Sequence, residues 1–123
     1  MAENNEGTGG NNGIIYVDQK EGLKRVMNNT KLYVKLLNKF KTDIKLDGLI
    51  TAAEAGDYEK AQILTHTLKG TAGNLSLAEL FKQSLDLENQ IKTKALQPGS
   101  LQHIKACFDN TLAAIDTVIK QYD

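Results

Sequence analysis

The chain has no tryptophan, one proline and one cysteine, and only 6% of its 123 residues are aromatic. Each shortage excludes something. Cys107 has no partner within the chain, so there is no internal disulfide framework, and a reducing compartment fits. Glycine-containing turn signals at the regular spacing of a β-sandwich are missing, which turns the reading away from all-β folds. No apolar run approaches the ~20 residues that span a bilayer, so no membrane insertion is expected. The N-terminus lacks the basic-then-apolar pattern of a signal peptide, and a cytoplasmic protein is the simplest expectation. Charge of one sign is not in excess either: 15 Lys and Arg face 15 Asp and Glu. With lysines dispersed among acids, no nucleic-acid partner is expected. A phosphate-cradling GxxxxGK[ST] loop is absent, and two histidines with one cysteine do not make a zinc site.

The pattern that is present is helical. Residues 1–13, MAENNEGTGGNNG, are too polar to repay their ordering entropy and are expected to form a disordered tail. Residues 14–123 then make one domain. IIYV at 14–17 reads as an extended arm docked on the rest. Asp18 opens a short helix, with Glu21 completing a variant capping box and Leu23, Val26 and Met27 as its apolar edge. NNT at 28–30 breaks it and caps the next. That helix is expected from Thr30 to Ala55. Tyr33, Leu36, Leu37, Phe40 and Ile44 keep helical spacing, and Leu46, Leu49, Ile50 and Ala53 continue with a one-residue offset. Gly56 stands where a left-handed C-terminal cap belongs, and Asp57 caps the next helix.

The third helix of the pattern carries Ala61, Leu64, Leu68, Ala72 and Leu75 on one face. Ser76 and Glu79 read as a capping box for the fourth, whose stripe is Leu77, Leu80, Ser84, Leu87 and Ile91. Pro98 is expected near the first turn of the last helix, with Leu101, Ile104, Phe108, Leu112, Ile115 and Ile119 as its stripe. Short connections make neighbours antiparallel. The expected fold is all-α, an antiparallel up-down four-helix bundle with a short additional N-terminal helix.

The outer face of the third helix stands out. At about 100° per residue, His66 lies roughly 160° from the centre of the apolar stripe. Lys69, Gly70 and Gly73 share its side, together with Gln62 and Glu59. Each glycine weakens an exposed helix by about 1 kcal/mol relative to alanine. Close approach of another backbone beside His66 would explain keeping both. The stripe holds its phase through Ala72 and Leu75, so the helix is expected to run past both glycines. A lone surface histidine is ordinarily just solvated. Imidazole is nevertheless a nucleophile at neutral pH, and a lysine one turn away is a mobile cation for an anionic group placed on it.

HTLKGTAGNL is similar to the His-x-Leu-Lys-Gly motif of histidine phosphotransfer (HPt) domains, the intermediates of multistep two-component phosphorelays. The similarity runs over about residues 18–120 and includes Leu36, Leu37 and Phe40 and the pair Leu87 and Glu88. The resemblance implies that His66 is phosphorylated, that Lys69 stabilises the phosphoryl group, and that Gly70 and Gly73 admit the partner; the partner surface is expected on the face around His66, which also carries Gln62. It implies receiver domains and a sensor or hybrid histidine kinase as partners, with Mg²⁺ carried by the receiver. It implies a phosphotransfer intermediate, no enzyme in its own right, with no cofactor of its own, and a monomer. One position departs: Ser76 stands where the family often has glycine.

Some readings stay open. In an antiparallel hairpin Glu88 comes beside His66 and can accept from Nδ1–H, leaving Nε2 as nucleophile. Equally, Glu88 can be a solvated partner of Lys92 at i+4. The chemotaxis-kinase branch has Glu bonded to the imidazole, so an ATP-dependent kinase donor is an alternative, although Leu85 stands where that branch has His. A helical adaptor without relay activity is a further alternative. His103 is expected to be a solvated residue, and Cys107 a small packed hydrophobe.

Overall fold

The computed structural model describes residues 13–122. The expected tail therefore lies, for residues 1–12, outside the described residues. Six helices occur in the order α1 (Gln19–Arg25), α2 (Thr30–Asp43), α3 (Asp47–Glu54), α4 (Tyr58–Asn74), α5 (Ala78–Lys92) and α6 (Ser100–Gln121). There is no strand among the described residues. α2 packs on α6, α6 on α5, α5 on α4 and α4 on α3. One leg of the bundle is thus α2 and α3 together, and the four legs close around one core. Leu37, Leu77, Leu80, Ile91, Ile104, Ile115 and Val118 are fully buried aliphatic side chains of that core. Each such side chain contributes about 1.5–3 kcal/mol of burial. Phe40 and Phe108 pin α2 to α6 with ring centroids 5.9 Å apart, and Lys41 pairs with Asp116 across the same seam.

The helix expected from Thr30 to Ala55 is two helices. Ile44 leaves α2 in an extended conformation (φ −92°, ψ 123°), and Leu46 stands at the start of α3. The one-residue offset in the apolar pattern explains the break. A continuous helix would carry the second stripe about 100° away from the core. The extended residue resets the phase and buries Leu46, Leu49, Ala52 and Ala53. Gly56 adopts φ +76° after α3, and Asp57 accepts from the Lys60 amide at the start of α4.

The arm docks on the bundle without regular secondary structure and bends at Tyr16. Val17 is fully buried, the Asp18 amide donates to the Ser76 carbonyl at 2.9 Å, and the Glu79 amide donates to the Ile15 carbonyl at 3.2 Å. Asp18 accepts from the Glu21 amide, while the Glu21 carboxylate pairs with Arg25 instead of reaching back. Met27 is no part of an apolar edge. It sits at φ +57° in the turn after α1 and is 90% exposed. Gly22 is the residue of α1 that packs closely: a Cβ there would lie 2.3 Å from the Tyr33 hydroxyl.

Ser76 does not cap α5. It takes the left-handed position that ends α4 (φ +58°). Its amide donates to the Gly73 carbonyl and the Leu77 amide donates to the Ala72 carbonyl, the paired bonds of a Schellman turn. Its hydroxyl is buried without a hydrogen-bond partner among the described residues. α5 is capped from outside instead, since the Ile15 carbonyl takes the Glu79 amide. The Glu79 carboxylate is engaged by Gln83. At α6, Pro98 precedes the left-handed N-cap Gly99 (φ 83°), so it lies before the helix and not in its first turn. The buried face of α6 also includes Cys107, Thr111, Ala114 and Val118, while Leu101, Leu112 and Ile119 are only half-buried.

Candidate functional site

α4 runs unbroken through Gly70 and Gly73 to Asn74. Its inner face buries Ala61, Leu68 and Ala72, and also Thr65, whose hydroxyl donates back to the Ala61 carbonyl at 2.7 Å. Thr65 escaped the sequence reading because its β-hydroxyl looks polar, yet a carbonyl one turn back satisfies it. The outer face leaves the His66 side chain 67% exposed.

α5 returns antiparallel to α4, and this pairing builds the site. Glu88 faces His66: its Oε2 lies 2.9 Å from His66 Nδ1. Its Oε1 lies 2.8 Å from Lys69 Nζ. The Glu88 side chain is only 6% exposed and that of Lys69 22%. A carboxylate this deep is tolerable only when its charge is paired and its oxygens are hydrogen-bonded, and both conditions hold here. The hydrogen bond from Lys69 holds the Glu88 carboxyl below its ordinary value, outweighing the upward push of burial, and the bond from His66 acts in the same direction. A carboxylate at Nδ1 accepts from Nδ1–H and leaves the lone pair on Nε2. The i+4 pairing of Glu88 with Lys92 is not the one formed.

Of the expected partner-surface residues, Gln62 is half-buried on the same helix face, and Gly70 is exposed. A Cβ at Gly70 would meet nothing within 4 Å, whereas a Cβ at Gly73 would lie 3.2 Å from the Phe81 ring. The clearance expected at Gly73 is therefore taken by this chain's own α5, and Gly70 alone is open. The sequence reading missed three exposed apolar side chains on these two helices, Ile63, Phe81 and Leu85, at 61%, 39% and 40% exposure. The signal was available: Phe81, Leu85 and Glu88 step by four and three along α5, one helix edge.

The remaining candidates lie apart. His103 is exposed on α6. Cys107 is buried, which pushes its thiol up to about 11, the behaviour of a packed thiol and not of a nucleophile. Burial likewise pushes up the Tyr33 phenol, with the Asp18 charge adding to it. That hydroxyl donates to the Leu75 carbonyl at 2.9 Å and so fastens α2 to the end of α4. Among the described residues no three His, Cys, Asp or Glu side chains converge as a metal site requires, and no helix is long and apolar enough to cross a membrane.

Comparison of the chain with curated proteins and with solved structures returned no match. The family model of the Hpt domain matches residues 36–116, well over half of the chain, and its span holds His66, Lys69, Gly70 and Glu88. With a helical bundle that presents an exposed histidine on its α4 leg, the chain belongs to the Hpt domain family, whose members carry phosphoryl groups in two-component phosphorelays.

Proposed function

We propose that His66 accepts a phosphoryl group from the aspartyl phosphate of a receiver domain and passes it to another receiver. The observation that carries this reading is the setting of the imidazole. Its side chain is 67% exposed while a covered carboxylate meets Nδ1. Glu88 fixes the tautomer and aims the ring. Lys69 supplies the cation that meets the arriving phosphoryl group. The receiver contributes the carboxylates and Mg²⁺ that organise in-line transfer. It docks over the open backbone at Gly70 and beside Gln62, against the apolar side chains Ile63, Phe81 and Leu85. Such signalling contacts are small, below about 1,200 Å².

A second reading is favoured by one specific contact. The Glu88–His66 hydrogen bond is the feature that the chemotaxis-kinase branch shares, and there the donor is an ATP-dependent kinase domain. The two donors are tested side by side. The chain is incubated with a phosphorylated receiver, and separately with a kinase and ATP, and acid-labile, alkali-stable phosphate is measured. Label from the receiver on the wild type, and none on His66→Gln, is the expected result. Label from ATP alone favours the second reading. Label persisting on His66→Gln, or none from either donor, overturns both.

A further inference from the structure

Both oxygens of Glu88 are occupied in the resting site, one by His66 Nδ1 and the other by Lys69 Nζ. The phosphoryl cycle proposed above brings roughly two negative charges to Nε2 at neutral pH. Lys69 lies one helical turn from His66 on the same face, so a single cation then serves two anions. The Glu88 side chain is only 6% exposed, and Lys69 is the cation on its Oε1. Its other oxygen continues to accept from Nδ1–H.

We propose that Glu88 sets this site for release, so that phosphohistidine is handed on and not stored. It does so in two ways that act in the same direction. It competes with the phosphoryl group for Lys69, and it keeps the proton on Nδ1 while Nε2 carries phosphorus. In the transfer step an aspartate oxygen of the receiver forms the new O–P bond as the Nε2–P bond breaks. The bonding pair returns to Nε2 and the proton stays on Nδ1, so the leaving group is neutral imidazole. A ring that had lost that proton would have to depart as imidazolate, a far poorer leaving group. Glu88 is thus a positioning residue that also sets the lifetime of the phosphorylated state. This rests on His66 being the phosphorylated residue.

The test uses the full chain phosphorylated with phosphoramidate, a small donor that needs no kinase. Glu88→Gln keeps a carbonyl oxygen for Nδ1–H but removes the charge, so orientation and charge are separated. Phosphohistidine lifetime is followed by ³¹P NMR, and hand-off is followed on a receiver domain. Glu88→Gln is expected to lengthen the lifetime roughly tenfold and slow hand-off to a similar degree, the order of effect of a hydrogen bond to a charged group, with unchanged helical circular dichroism. A lifetime within about twofold of wild type, or a shorter one, overturns the proposal, since a purely orienting carboxylate would leave the lifetime alone. Lys69→Ala provides a check that does not require altering Glu88. It is expected to shorten the lifetime, and an unchanged or longer one overturns the competition for Lys69. Label persisting on His66→Gln overturns the phosphoacceptor reading and this inference with it. Label confined to His66 with unchanged lifetimes overturns only the inference.

Discussion

Two histidines stand exposed on helices of this chain, and their surroundings differ in one respect that matters. His66 has a carboxylate beneath it, brought from the neighbouring helix and shared with a lysine. His103, on α6, lines an open cleft of about 230 Å³ together with Asp86, Gln90 and Ser100. There the polar groups serve the loop between α5 and α6. Gln90 donates to Asp86 and accepts from Ser100 and from the Gln97 amide. His103 is a solvated ring beside a structural cluster. Exposure alone therefore does not distinguish the two rings. What sets His66 apart is a covered counter-charge at one ring nitrogen, where water would otherwise leave tautomer and orientation free.

The comparison breaks first on phosphorylation. His66→Gln is expected to abolish labelling, and His103→Gln to leave it at the wild-type level; loss of label in both would mean that the setting of the ring does not select it. Acid stability sharpens it next. Because the Glu88 carboxyl titrates below its ordinary value of 4.5 when folded, the unfolded chain binds that proton more readily. The stabilisation is present above that pH and is lost as pH falls through the folded value. Urea midpoints at pH 6 and pH 3 should therefore show a smaller acid loss for Glu88→Gln than for wild type. His103→Gln should match wild type, and equal losses in all three would remove the charge argument.

Smaller effects concern the far end of α4. Ser76→Gly relieves a left-handed serine and deletes an unpaired buried hydroxyl, so it should stabilise by about 1 kcal/mol. Labelling of His66 should not change, which a thermal melt and the labelling assay check together. Last come the two glycines. Gly70→Ala should gain about 0.5–1 kcal/mol of helix stability, whereas Gly73→Ala should gain less, since its Cβ meets the Phe81 ring. The reverse order would mean that the ring is not seated there.

The bundle and the constellation on α4 were legible because they are periodic and local. His66, Lys69 and Gly70 lie within one and a half turns of helix, and the buried stripes of α4 and α5 keep their spacing. The capping roles were less legible. Ser76 followed by Glu79 is a sound local cap, but the Ile15 carbonyl, from the far end of the chain, took the amide of Glu79. The break at Ile44 was visible only as an offset, and helix propensity alone does not convert an offset into a break. Whether Gly73 was open depended on Phe81, which belongs to another helix.

Helical period places residues on faces without reference to anything else. The order of residues was therefore enough to specify a helical bundle with a histidine, a lysine and two glycines on one outer face. It was not enough to choose the partner of Glu88, because Lys92 is reachable along its own helix and His66 only across the α4–α5 pair. Packing made that choice. Glu88 faces α4, where its covered carboxylate meets both His66 and Lys69.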